Sequence, residues 1–163
     1  MQVLPREGKN KPKKVEKIFA FCVEKVRKKW YNNITISAQC AEKEKYMEKY
    51  IHKVNYYETD RMGITHHSNY VRFMEEARIH FLEQIGCGYD KWERDGVISP
   101  VIGIECKYKR PTTFGDELQI RVEIAEYKRV KLSVSYTMVN AKTQELVFEG
   151  MSHHCFTNAE DRP

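Results

Sequence analysis

Apolar positions along the chain change period twice. From Val15, the residues Val15, Ile18, Phe19, Cys22 and Val26 recur at i, i+3, i+4, i+7 and i+11, which is one face of a helix. Lys and Arg crowd the remaining faces of that segment. After Met47, "KYIHKVNYYET" is rich in Tyr, Ile and Val with rough alternation, and predicts a strand. A second helical stripe follows over about Ser68 to Ile85, made of Tyr70, Phe73, Met74, Ala77, Phe81 and Ile85. Val71, Ile79 and Leu82 widen the stripe, which predicts a helix enclosed on most sides. "GCG" at Gly86 to Gly88 ends it, because glycine tolerates the left-handed conformation of a C-terminal cap. A short polar helix is predicted over Tyr89 to Arg94.

The remainder reads as β-structure. In "VIGIECKYKRP", Ile102, Ile104, Cys106 and Tyr108 alternate with smaller or polar residues. "ELQIRVEI" alternates Leu118, Ile120, Val122 and Ile124 with charged or amide side chains, and "KLSVSYTMV" repeats the pattern. A last strand, "ELVFEGMSHHCF", is longer and mixed. Clean alternation means one buried and one wet face, as in an antiparallel sheet. One strand, one buried helix and a run of strands predict an α+β domain, packed as a curved sheet wrapped around the long helix. There is no internal repeat.

A chain of 163 residues suits one domain. The formal charge of +5 is unevenly placed. Residues 1–46 carry 12 Lys/Arg against 5 Asp/Glu, so the body beyond them is mildly acidic, at −2. That distribution argues against a nucleic-acid-binding body. The leader opens with the breaker-rich "REGKNKPKK", expected to be disordered. Its basic amphipathic helix suits peripheral contact with an anionic membrane, docking on a partner, or packing on its own domain. Met47 is equally a sensible start, which would make 1–46 an extension that the native protein does not carry, with the domain proper at 47–163. No apolar run approaches the ~20 residues that span a bilayer, and a cytoplasmic protein is the default expectation. Five scattered cysteines without a C-x-x-C pair are expected to be reduced.

The chemistry concentrates in "YETDRMGITHHSNY", from Tyr57 to Tyr70. Asp60 sits between strand and helix, three residues before Gly63. The first turn of a helix leaves backbone N–H groups unpaired and carries partial positive charge, so it can stabilise a carbonyl oxygen as it becomes an oxyanion. A carboxylate beside it can act as base or nucleophile. Gly63 permits a sharp turn. By residue type alone, the same pattern also fits a plain turn closed by an Asx hydrogen bond. Metal binding is not expected. The adjacent pairs His66/His67 and His153/His154 diverge, and all four are read as surface or cleft histidines. Glu75 and Glu76 read as a solvated helix face.

The run "VNYYETDRMGITHHSNYVRFMEEAR" resembles the signature of the 4-hydroxybenzoyl-CoA thioesterase family of hotdog-fold proteins, and is most similar to its Tol-Pal-associated acyl-CoA thioesterase branch. "KRPTTFGDEL" resembles the family's link into its third strand. The resemblance covers about Tyr50 to Asn158. It implies a sheet rolled around one long helix, homodimers or homotetramers, an acyl-CoA substrate and no cofactor. Asp60 falls at the family's catalytic carboxylate, and His67 at the helix start whose backbone N–H polarises the thioester. Gly63, Asn69 and Tyr70 match loop and helix-start positions, where a structural role is favoured over a substrate contact. "EYKRVK" resembles a segment that meets coenzyme A phosphates, which makes Lys128, Arg129 and Lys131 ligand candidates beside the alternative of a solvated hairpin.

There are departures. Glu58 replaces the family's first aspartate, Thr65 and His66 replace a more apolar pair, and the chain stops where the family continues into a C-terminal helical segment. The function expected is hydrolysis of an acyl-CoA thioester to free acid and CoA. The alternatives are a carrier-protein thioester as substrate, or a non-catalytic acyl-CoA-binding module.

Overall fold

The computed structural model describes residues 49–94, 97–128 and 131–158. The expected leader helix and Arg129 lie outside the described residues. Strand β1 (Tyr50–Lys53) runs through a 3-10 turn (Tyr56–Glu58) toward helix α1 (Asn69–Gln84), which is followed by α2 (Tyr89–Arg94). Then come β2 (Val97–Ile98), β3 (Val101–Tyr108), β4 (Glu117–Lys128), β5 (Lys131–Asn140), β6 (Leu146–Cys155) and β7 (Thr157–Asn158).

The alternating segments behave as their period requires. Five strands form one antiparallel sheet in the order β1-β4-β5-β6-β3, and β2 pairs with β7 apart from it. Leu118 and Ile120 of β4, Leu132, Val134, Tyr136 and Met138 of β5, and Phe148 of β6 share the buried face. Arg121, Ser133 and Ser135 lie on the other. Helix α1 lays Tyr70, Phe73, Met74, Ala77 and Phe81 on the buried face, all at most 6% exposed. Burial of each large side chain contributes roughly 2 kcal/mol. The approach is close at Gly150, where an added Cβ would stand 2.7 Å from the Phe148 ring and 2.9 Å from Met74 Sδ. The helix ends as its glycine predicts. Gly86 adopts φ 70°, its N–H donates to Glu83 O, and the Cys87 N–H donates to Leu82 O.

Four expectations need correction. The helix is not enclosed on most sides, since Ile79 is 36% exposed. The apolar positions of β3 are not buried either, with Ile102, Ile104 and Tyr108 at 57%, 43% and 50% exposure. Both follow from the topology: β3 is an edge strand, and one helix packed toward β1 and β4 does not cover the whole sheet. Cys106 and Cys155 carry free thiols as expected, whereas the buried Cys87 is disulfide-bonded.

The neighbouring histidines on β6 do diverge, but His154 points into the core and is not a surface residue. It belongs to a buried polar group around Arg78 of α1. Arg78 Nε donates to the Tyr89 hydroxyl at 2.8 Å and Nη1 to the Tyr136 hydroxyl at 3.3 Å. Ser152 Oγ bridges Tyr136 Oη at 2.8 Å and His154 Nε2 at 2.7 Å. Burial, reinforced by the Arg78 guanidinium, pushes the His154 imidazole down to about 4. An unfolded histidine takes up its proton near pH 6.5, so acid favours the unfolded chain before the folded one can respond. This contribution to stability is complete above about pH 6.5 and is lost as pH falls toward 4. Between pH 7 and 4.5, wild type is expected to lose roughly 2–3 kcal/mol more than His154→Gln, measured by urea unfolding at the two pH values.

Candidate active site

The segment between β1 and α1 is a closed hairpin. Thr59 and Thr65 bridge its arms, and Ile64 bridges to Thr113. The Asp60 N–H donates to Ile64 O at 2.8 Å, and the Gly63 N–H returns to Asp60 O at 2.9 Å. Gly63 adopts φ 77°, a conformation that disfavours any side chain. The Asx bond that the sequence left open is present, as the Met62 N–H donates to Asp60 Oδ1 at 2.8 Å. It occupies one carboxylate oxygen. Asp60 is half-buried, and Oδ2 has no hydrogen-bond partner among the described residues. A turn and a reactive carboxylate are thus compatible.

The hairpin delivers the chain directly to the helix. The Glu58 carbonyl accepts the His66 N–H at 2.8 Å and Asn69 Nδ2–H at 2.7 Å, which ties the hairpin base to the first residue of α1. His67 lies between those two donors. Its carbonyl accepts the Tyr108 hydroxyl at 3.2 Å, and its N–H has no acceptor among the described residues. Its imidazole is exposed and lies against His66, with ring centroids 4.2 Å apart. Asp60 and the His67 amide therefore belong to one hydrogen-bonded unit, with the helix terminus adding favourable charge for an oxyanion.

The other candidates divide. Asn69 and Tyr70 are buried and hydrogen-bonded within the fold, which suits the structural role favoured for them. The Tyr70 hydroxyl is 2.9 Å from Thr112 Oγ1, which is itself 2.7 Å from Thr65 Oγ1, and the Tyr70 ring stacks on Phe148. Lys128 and Lys131 are exposed and face each other across the β4–β5 hairpin. The structure does not bring them to Asp60. Strand β1 pairs with the first residues of β4, and Lys128 closes the far end of that 12-residue strand, about 35 Å along its contour.

The sequence reading missed a polar group beneath the hairpin. His52 projects inward from β1 with its ring 3.8 Å from that of Phe73. Its Nε2 lies 3.0 Å from Glu58 Oε2, and its Nδ1 lies 3.1 Å from Glu76 Oε2. The Tyr50 hydroxyl donates to the same Glu76 oxygen at 2.8 Å. Glu76 is thus engaged, and Glu58 is only 5% exposed. Period gives only the faces: His52 falls on the same face as Tyr50 and Val54, and Glu76 shares a helix face with Asn69 and Phe73. Among the described residues there is no cluster of three or more His, Cys, Asp or Glu that could hold a metal.

Residues 54–163 match the family described as the thioesterase-like superfamily. The chain is 32% identical over 111 residues to the Bacillus subtilis "Putative acyl-CoA thioesterase YneP", covering 68% of this chain and 80% of that protein. It is 29% identical over 90 residues to the acyl-CoA thioester hydrolase YbgC of Escherichia coli O6:H1, covering 55% and 67%. The crystal structure of a DHNA-CoA thioesterase from Staphylococcus aureus superposes with a TM-score of 0.66 at 26% identity, over 70% of this chain and 76% of that one. The shared architecture is the hotdog fold, a sheet packed on one long helix. With the match extending from the end of β1 through the hairpin, the helix and every later strand, the chain belongs to the thioesterase-like superfamily.

Proposed function

We propose that the protein hydrolyses an acyl-CoA thioester to a free carboxylic acid and CoA, with Asp60 as the reacting carboxylate. The observation that carries this reading is the pairing of a half-buried Asp60 with the acceptor-less His67 amide inside one hydrogen-bonded hairpin-to-helix unit. The acyl-CoA activities named for its relatives supply the substrate class. The His67 N–H donates to the thioester carbonyl oxygen as negative charge develops there. Asp60 then acts in one of two ways. As nucleophile, it bonds to the carbonyl carbon, the C–S bond breaks, CoA leaves as thiolate, and water cleaves the resulting anhydride. As base, it takes a proton from water, whose oxygen attacks the same carbon. Either route consumes one water and yields acid and thiol. Within the superfamily, the Tol-Pal-associated branch rests on the sequence resemblance of "YETDRMGITHHSNY" alone.

The working unit in this reading is at least a homodimer. The apolar inner side of β3 (Ile102, Ile104 and Tyr108) is uncovered in one chain, and Tyr108 meets the His67 carbonyl. A second copy seated there would wall the site. It would also offer a route for Lys128 and Lys131, remote from their own Asp60, to approach another chain's substrate.

Asp60→Asn is expected to lower kcat on acyl-CoA thioesters at least about 100-fold with little change in KM, measured on short, medium and aromatic acyl chains. Equal rates in the two proteins would defeat the assignment. Ile104→Lys is expected to shift the native mass toward the monomer in light scattering and to reduce turnover with it, while circular dichroism is retained. An unchanged native mass would remove β3 from the interface.

A further inference from the structure

The polar group beneath the hairpin has no place in the chemistry just described, yet it is built with care. Glu58 Oε2 accepts the Asn55 N–H at 2.6 Å as well as lying 3.0 Å from His52 Nε2. A carboxylate only 5% exposed is tolerable in the fold when hydrogen-bond donors converge on it. Both of these come from the β1 side. His52 is fixed in turn by the Phe73 ring and by Glu76, which also accepts the Tyr50 hydroxyl. The chain therefore runs from α1, through Glu76 and His52, to Glu58.

The backbone of the same residue faces the other way. The Glu58 carbonyl accepts the His66 N–H and the Asn69 side-chain amide. The hairpin that carries Asp60 leaves the chain immediately after Glu58 and rejoins it at His66. Both arms thus meet at one carbonyl, and the next amide after His66 is that of His67. A shift of Glu58 moves Asp60 and the His67 amide relative to each other. A misplacement of about 1 Å at a reacting group can cost roughly 100-fold in rate.

We propose that Glu58, braced by His52, is a positioning residue: it clamps the base of the Asp60 hairpin against the start of α1 and so sets the geometry on which kcat depends, without touching the substrate. The proposal rests on the thioesterase reading for its kinetic consequence, but the clamp is measurable apart from it. Glu58→Gln keeps the length and an acceptor oxygen for the Asn55 N–H, whereas Glu58→Ala removes both.

The experiment measures kcat and KM on acyl-CoA, normalised to folded protein, together with amide hydrogen exchange at Met62 and His66. The expected result for Glu58→Ala is a kcat about 100-fold lower with KM within about threefold of wild type, and Glu58→Gln recovering about tenfold of that loss. Exchange at Met62 and His66 is expected to quicken in Glu58→Ala while amides inside α1 stay protected. Should Glu58→Ala fail to fold, Glu58→Gln and His52→Gln carry the test through a smaller kcat loss, about tenfold, at constant KM. Wild-type kcat in the folded variants, or a loss falling on KM, overturns the positioning role. Unchanged exchange at Met62 and His66 overturns the clamp. If wild type cleaves no thioester, the thioesterase reading falls and the exchange data still decide the clamp.

Discussion

A single backbone carbonyl, that of Glu58, accepts from both the end of the hairpin and the first residue of the long helix. Everything at the site hangs from that junction. A buried carbonyl with two acceptor sites is costly to leave unpaired, so both donors are held to it. One fixes where the hairpin returns and the other where the helix begins. Between them stands His67, whose amide is left over by the arrangement. The exposed donor at the helix start is thus a consequence of how the turn satisfies its neighbours.

The core explains why the junction can be rigid. Helix α1 rests on the inner face of the sheet close enough that only glycine fits at position 150, and Tyr70 is anchored to Phe148 and Thr112. The first turn of the helix cannot slide without disrupting dense packing. Further along, Arg78 inserts a guanidinium among Tyr89, Tyr136 and His154. These neutral partners fix the register of helix on sheet by direction, whereas apolar packing alone would accept several. The site is built at the start of the helix, and about two turns further on Glu76 ties the same helix to His52 of β1.

One chain nevertheless leaves its architecture open on one side. The edge strand β3 leaves Ile102, Ile104 and Tyr108 about half-exposed, and the helix exposes Ile79. A sheet that wraps one helix from one side has apolar surface remaining wherever the helix does not reach. Alternation marked these positions as apolar but not as buried, because burial also needs an element packed over them.

Local chemistry settled much of this in advance. The period of 2 in the late segments, the period of 3.6 after Ser68 and the stop at Gly86 determined the strands, the helix and the α+β class, because each depends on neighbours a few residues away. The motif "YETDRMGITHHSNY" likewise indicated a turn with its glycine and the placing of Asp60 before a helix, though not the closed hairpin. Tertiary structure decided the rest. It turned His154 inward, since β6 runs inside the sheet between β5 and β3 with Arg78 facing it, and it left β3 partly exposed, since strand order puts it at an edge. It drew Glu76 into a network with a strand residue 24 positions earlier, and set Lys128 at the opposite end of β4 from the site. Partners far apart in sequence, and the edge or centre rank of a strand, are properties of topology. No local pattern of residues encodes them.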